Sequence, residues 1–421
     1  MKKLYFGLGL LCLLGACKTA EVSEGLPTLK LEDKIGSAED QAKASDFFEK
    51  IDYLPLETTE EGLIGMNPAF HFYRDYIIVG SSKSKCLVFN RHDGKFIRSI
   101  GSLEKGPRGY SSSEDLWINP KNGVIYLRDW RNDYVKYSVE GDFLGVQALP
   151  EGVGQSKTVT YLGDDLLVVY PQELMGNKPE ILIYVDSLGN KVKSFPGTIT
   201  KDTLGMTEIS AMSVYPSSFL FKMLGMTSGK MLVIGGRGPE VELVSLSEQP
   251  VFWHNGGKTW FKESLSDTIF EVTPTAMKPA RVLDLGKYRL DVKDLLNRPA
   301  RKDHTTIDQV YENDRYMFFT YWFRPDEKSF AAYRGIWDKK TGDLRILKVG
   351  KDYVNDLDGF MDVNFMKIMP DQNFAGYILP LTIQEWFEKN PDKAATLKPE
   401  IRKLEKLKED DNPVLVILKS K

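Results

Sequence analysis

Three glycines limit what this chain can become. Gly94, Gly141 and Gly189 lie 47 and 48 residues apart, and each closes the same short unit. The units read "CLVFNRHDGKFIRSIG", "YVKYSVEGDFLGVQAL" and "ILIYVDSLGNKVKSF": a strand ending in an aromatic, a step of four or five residues to glycine, then another strand. Glycine suits that place because tight hairpins require positive φ, which a side chain disfavours. A second alternating strand precedes each unit, "DYIIVGS", "GVIYLRD" and "DDLLVVY" in turn.

A repeat of this length with four strands is the size of one propeller blade. Regular hairpins, without the helical crossovers a parallel sheet needs, predict an all-β chain. The unit returns at "YRGIWDKKTGDLRILKVG", where Trp337 and Gly342 hold the places of Phe89 and Gly94. Gly342 follows Gly189 by 153 residues, which leaves room for two blades, the first enlarged by an insertion near residues 236 to 265. "IQEWFEK" and "LKPEIRKLEKL" place Ile383, Trp386 and Phe387, then Leu397, Ile401, Leu404 and Leu407, at helical spacing, and "NPVLVILKSK" ends the chain as a strand. The expected fold is a six-bladed β-propeller with a short helical insertion near the C-terminus. The N-terminal strand "KIDYLPLET" closes its last blade, since an open array would leave a bare sheet edge.

The first residues carry a different signal. "MKKLYFGLGLLCLLGAC" has two lysines, an apolar run too short to span a bilayer, and small residues before Cys17, the layout of a secretory signal peptide. Leu14 to Cys17 resembles the lipobox of bacterial lipoproteins, which implies cleavage before Cys17 and acylation of that residue, an anchor held by more than one acyl chain. The division expected is therefore a signal peptide over 1–16, the lipidated Cys17 with a flexible tether over 17–45, and the propeller over 46–421. A short strand, "TLKLED", is allowed inside the tether. Of three cysteines, Cys12 leaves with the signal and Cys17 carries lipid, so Cys86 in "CLVF" is read as a buried, inert thiol. Cleavage leaves 54 cationic against 59 acidic side chains, a net charge of −5, which argues against a nucleic-acid partner.

Several stretches resemble the six-bladed, NHL-like β-propeller lipoproteins of Bacteroidetes. They are "YLPLETTEEGLIG", "SIGSLEKGPRGYSS", "SDTIFEVTPTAMKPARVLDLGKYRL", "NDLDGF" and "DDNPVLVILKSK". The resemblance covers nearly the whole mature chain and implies fold and anchoring, with no common activity. It also implies residence in the cell envelope as an outer-membrane lipoprotein, the periplasmic or outer face left open. One departure stands out. Such chains usually show glycine and an acid before the tyrosine of the glycine-proline turn, where Arg108 and Gly109 precede Tyr110 here.

Catalytic signatures are few. "GMTSGK" at 225 to 230 has the wrong spacing for a phosphate loop and reads as a turn. The histidines His71, His92, His254 and His304 show no ligand spacing and read as surface or loop residues, so neither a metal nor a cofactor is expected. "DLDG" at 356 to 359 has alternate carboxylates but lacks the remaining ligands of a calcium loop, and reads as a tight turn. Cations and aromatics gather instead at strand ends: Lys105, Arg108 and Tyr110 in the first crossing, Trp130 and Arg131 in blade two, Trp322 and Arg324 in blade five. Flat rings beside polar groups grip sugars and peptides, so these seven are the candidate binding residues; the alternative is that the rings pack between blades and that the glycine-proline crossing is a structural corner. The reading favours a non-catalytic, membrane-tethered recognition protein for a glycan, a peptide or a partner protein. Two alternatives stand beside it. One is an envelope hydrolase or lyase using Asp129, Asp356 and Asp358 at the channel mouth; the other is an accessory component of an outer-membrane uptake complex.

Overall fold

The computed structural model describes residues 25–114, 116–150, 153, 158–163, 166–171, 180–197, 209–215, 230–235, 242–247, 252–263, 265–294, 303–323, 331–349, 352–365 and 367–421. Six antiparallel sheets form the ring of a propeller. Blade one runs Met66–Tyr73, Tyr76–Ser82, Cys86–Asn90 and Phe96–Ile100 from the channel outward. Blade two runs Trp117–Ile118, Ile125–Arg128, Tyr134–Tyr137 and Phe143–Gln147, and blade three Thr158–Leu162, Leu166–Tyr170, Glu180–Val185 and Lys191–Pro196. Blade four runs Phe252–Asn255, Lys258–Lys262, Thr268–Val272 and Met277–Asp284, and blade five Ile307–Glu312, Tyr316–Phe323, Ala331–Asp338 and Leu344–Lys348.

Blade six is built from both ends of the chain. Lys367–Ile368, Phe374–Ile378 and Val414–Ser420 supply three strands, and Phe48–Pro55 supplies the outermost, antiparallel to Val414–Ser420 with Tyr53 opposite Val416. This is the closure expected of "KIDYLPLET", and it leaves no open gap in the ring.

Packing between blades defines the order of the ring. Phe72, Leu87 and Phe89 of blade one meet Leu415 and Ile417 of blade six, while Ile78 and Val88 meet Leu127 and Val135 of blade two. Tyr126 and Tyr134 meet Tyr161 and Val169 of blade three, whose Leu182 and Tyr184 meet Phe261 of blade four. Ile269 and Leu283 then meet Val310 and Phe319 of blade five, and Phe318 meets Phe48, Phe365 and Phe374 of blade six. Each large apolar side chain so buried contributes about 1.5–3 kcal/mol, so the seams rather than any disulfide hold the ring. Cys86 lies in the seam between blades one and two, fully buried, and burial pushes its thiol well above the ordinary range.

Blade three packs directly on blade four, which corrects the expected insertion. Residues 252–262 are already the first two strands of blade four. The extra material is a three-stranded sheet, Ile209–Tyr215, Lys230–Gly235 and Glu242–Ser247, between blades three and four. The turn read at 225 to 229 lies outside the described residues.

The stretch read as a flexible tether is also different from Thr28 onward. Thr28–Lys30 adds a fifth, parallel strand to blade four, and Leu31 and Ile35 bury in the seam between blades four and five. Arg345 of blade five pairs with Glu39 at 2.6 Å and Asp46 at 2.7 Å. Four apolar residues, Leu31, Ile35, Ala42 and Ala44, fasten a segment that is polar on average.

Strands alternate in direction, so the links between blades and the links between each second and third strand share one face of the ring. Tight hairpins occupy the other. Gly94, Gly141, Gly189 and Gly342 all sit in such hairpins with φ of 71, 98, 87 and 81°. The helical insertion, opened by helix Pro380–Lys389, lies on the crossing face, where Ile383, Phe387, Leu397, Ile401 and Leu404 pack on Phe360 and Val414.

Candidate functional site

The crossing from blade one to blade two, residues 101 to 116, is clamped at several points. Ser113 Oγ donates to Ser84 O at 2.7 Å and accepts from Ser81 N at 3.0 Å, and Ser111 N donates to Arg128 O at 2.8 Å. A Cβ on Gly109 would come within 1.9 Å of Glu104 O, so the loop can fold back on itself only with glycine there. This folding presents the carbonyl of Glu104 to Trp130, whose indole Nε1 donates to it at 3.0 Å. The ring is thereby fixed in orientation while remaining 51% exposed. Lys105 Nζ stands 5.5 Å from its centroid, within cation–π range.

Arg108 is exposed, its guanidinium 5.2 Å from the Phe143 ring, and its carbonyl accepts from Tyr137 Oη. Arg131 is exposed but anchored, with Nε donating to Asp129 Oδ2 at 2.9 Å. Lys105, Trp130 and Arg131 thus share the crossing face over blades one and two, whereas the Arg108 guanidinium lies over the outer strand pair of blade two at its hairpin end.

Tyr110 does not belong to this cluster, and its placement corrects the expectation. It is fully buried; its hydroxyl accepts from Cys86 N at 2.9 Å and donates to Ile100 O at 2.8 Å, fastening the end of the outer strand pair of blade one. An aromatic beside a glycine turn has the same sequence signature whether it seals a seam or faces solvent. Trp322 is half-buried at the crossing end of blade five, diametrically opposite blade two in a ring of six, so it does not converge with Trp130. Arg324 lies outside the described residues.

The three acids named for catalysis are committed to loop structure. Asp129 accepts from Arg131 N at 2.7 Å and Asp133 N at 3.0 Å. Asp356 accepts from Ser45 N at 2.9 Å and Ser45 Oγ at 2.6 Å. Asp358 Oδ1 accepts from Asn355 Nδ2 at 2.6 Å and Phe360 N at 3.0 Å, so "NDLDGF" is a turn built on its own side chains. Two ionisable groups that the sequence reading passed over sit between blades four and five. Lys262 Nζ donates to Ile307 O at 2.7 Å, and burial lowers Lys262 to about 8 while raising Glu263 to about 7.

The histidines divide in two. His92 is exposed beside Asp75 on a hairpin, as expected of a loop residue. His71 and His254 instead lie on inner strands, and His254 Nε2 is 2.9 Å from Thr160 Oγ1.

Ring order, N-terminal closure and blade seams define a six-bladed β-propeller, and the comparisons agree. A crystal structure of a candidate exported protein from Bacteroides fragilis superposes with a TM-score of 0.62 at 15% identity, covering 94% of this chain and 99% of that one. At that identity the likeness establishes the fold. The chain belongs to the family described as a domain of unknown function (DUF4934), whose profile matches residues 26–419. U3-55K aligns at 10% identity over 87% of this chain and 98% of its own with a TM-score of 0.35, a score that carries no argument. The same holds for the β-propeller domain of the Trilobed protease from Pyrococcus furiosus, at 10% identity over 74% of this chain and 91% of that one with a TM-score of 0.29. No curated protein matches the chain. No helix among the described residues is long and apolar enough to cross a membrane.

Proposed function

We propose that this protein is a lipid-anchored recognition protein of the cell envelope that binds an extended glycan, a peptide or a partner protein on its crossing face. The observation that carries the reading is Trp130: half of a large ring is left in solvent, yet its indole N–H is spent on Glu104 O and a lysine stands over it. An aromatic fixed before the ligand arrives loses little freedom on binding. Arg131, next to it in the chain and exposed, supplies donors for the polar groups of such a ligand.

Trp130→Ala is expected to weaken binding about tenfold, the loss of a stacked ring together with its area burial. The melting temperature should barely move, because the ring is exposed. A screen of the detergent-solubilised protein against glycans and peptides, read by thermal shift and by product analysis, supplies the ligand; isothermal titration then compares the two proteins. Turnover in the screen, or a heavily destabilised Trp130→Ala variant, would overturn the reading.

Anchoring has its own test. Cys17→Ser is expected to abolish acylation and release the protein into the soluble fraction, since an acylated cysteine is the anchor this reading relies on. Retention of the variant on membranes after a high-salt wash would refute it.

A further inference from the structure

We propose that the hairpin end of the central channel holds a small oxyanion, a carboxylate or phosphate group, against the hydrogen-bonded pair of Lys367 and His71. Both residues are on inner strands, Lys367 in blade six opposite Ala375 and His71 in blade one opposite Ile78. Lys367 Nζ donates to His71 Nδ1 at 3.0 Å across the seam where the ring closes.

Other inner strands bring polar or aromatic residues to the same height. Trp117 pairs with Tyr126, Thr160 with Val168, His254 with Thr259 and Tyr311 with Phe318, all within three residue pairs of the hairpin that ends the strand. His71, Trp117, Tyr311 and Lys367 are half-buried and His254 is exposed, although all belong to strands enclosed by the ring. The channel at this end is therefore open to a small solute.

The charge balance selects the solute. Among the described residues no carboxylate pairs with Lys367, whose single acceptor is His71. Burial lowers the lysine only to about 8, so it remains an ammonium at neutral pH, and burial together with the nearby Lys367 charge keeps His71 neutral. An imidazole that accepts at Nδ1 carries its proton on Nε2. Two ammonium N–H groups and one imidazole N–H thus remain for an acceptor, around a half-buried cation with no carboxylate partner among the described residues. Folded proteins rarely leave such a charge uncompensated, and an oxyanion meets both the charge and the donors.

The test titrates phosphate and acetate separately into the full-length protein in detergent, against chloride at constant ionic strength. Either anion, or both, should raise the melting temperature saturably, as a ligand that binds only the folded state does. The bound anion should also shift the ring resonances of His71, which can be assigned because the chain has only four histidines. A response to phosphate alone or acetate alone would identify the oxyanion. Lys367→Met should melt higher than wild type in chloride, being relieved of the half-buried, unpaired charge, and should lose the anion response; Lys367→Gln should lose the response too. The proposal fails if neither anion moves the melting temperature or the His71 signals at tens of millimolar, or if the Lys367 variants respond as wild type does. The site lies on the face opposite Trp130, so its failure leaves the recognition reading untouched.

Discussion

Deleting residues 411 to 421 is expected to leave no cooperatively folding protein. A C-terminal stretch of this length is usually expendable, but here it contains Val414–Ser420, paired on one side with Phe374–Ile378 and on the other with the N-terminal strand Phe48–Pro55. Val414, Leu415, Val416, Ile417 and Leu418 are all buried, and their loss removes about 7–15 kcal/mol of burial at about 1.5–3 kcal/mol each. That is as large as the whole stability of an ordinary domain, about 5–15 kcal/mol. The deletion also removes Asn412, whose Oδ1 accepts from Ile64 N at 2.9 Å and whose Nδ2 donates to Glu57 O and Gly62 O at 2.8 Å each, tying the crossing into blade one to blade six. With the middle of the closing blade gone, Phe48–Pro55 has no partner and the ring opens at a bare edge. Circular dichroism on heating should show no sharp transition; a cooperative melt at the wild-type temperature would refute the expectation.

The closure was legible because a continuous apolar run, Val414 to Leu418, stands near one end of the chain and a strand-like stretch, "KIDYLPLET", near the other, and the blades because hairpin glycines mark them. That marker also explains the misplaced insertion. Blade four turns between its third and fourth strands through Thr273 to Ala276, closed by hydrogen bonds between those two residues, and no glycine appears there. Blade six has no such turn, since its third and fourth strands come from opposite ends of the chain. A search for turn glycines therefore finds four of six blades and cannot place what lies between the third and fifth. The candidate site was half legible for a related reason. Lys105 and Trp130 meet only because Gly109 lets the crossing bend toward Glu104 O, a contact between distant stretches that no local pattern encodes. Tyr110 and Trp130 look alike in sequence, and only the seams distinguish a ring that seals two blades from one that faces solvent. The pairing of His71 with Lys367 was invisible for the same reason, since residues nearly three hundred positions apart become neighbours only when the ring closes.

Glu312→Leu is expected to cost about 3–5 kcal/mol, the usual loss when one member of a buried ionic network is removed and its partners stay. Glu312 ends the inner strand of blade five with its side chain wholly buried. Its carboxylate accepts from Arg281 Nη1 of blade four at 2.6 Å, from Lys339 Nζ at 3.2 Å, and from the indole Nε1 of Trp253 at 3.2 Å. One side chain thus gathers two cations and an indole from two blades near the hairpin face. Removing it leaves Arg281, stacked 4.7 Å from the Trp260 ring, and Lys339 facing each other without a counter-charge. Both are about one-fifth exposed, so water relieves part of the penalty and places the expected loss toward the lower end of that range. Glu312→Gln keeps the shape and some hydrogen bonds but not the charge, so it should fall between wild type and Glu312→Leu. Adding Lys339→Met to Glu312→Leu should recover stability, because it removes one of the stranded cations. Urea unfolding of the four proteins decides the matter. If Glu312→Leu loses less than about 1 kcal/mol, the typical worth of an exposed ion pair, the network does not hold blades four and five together.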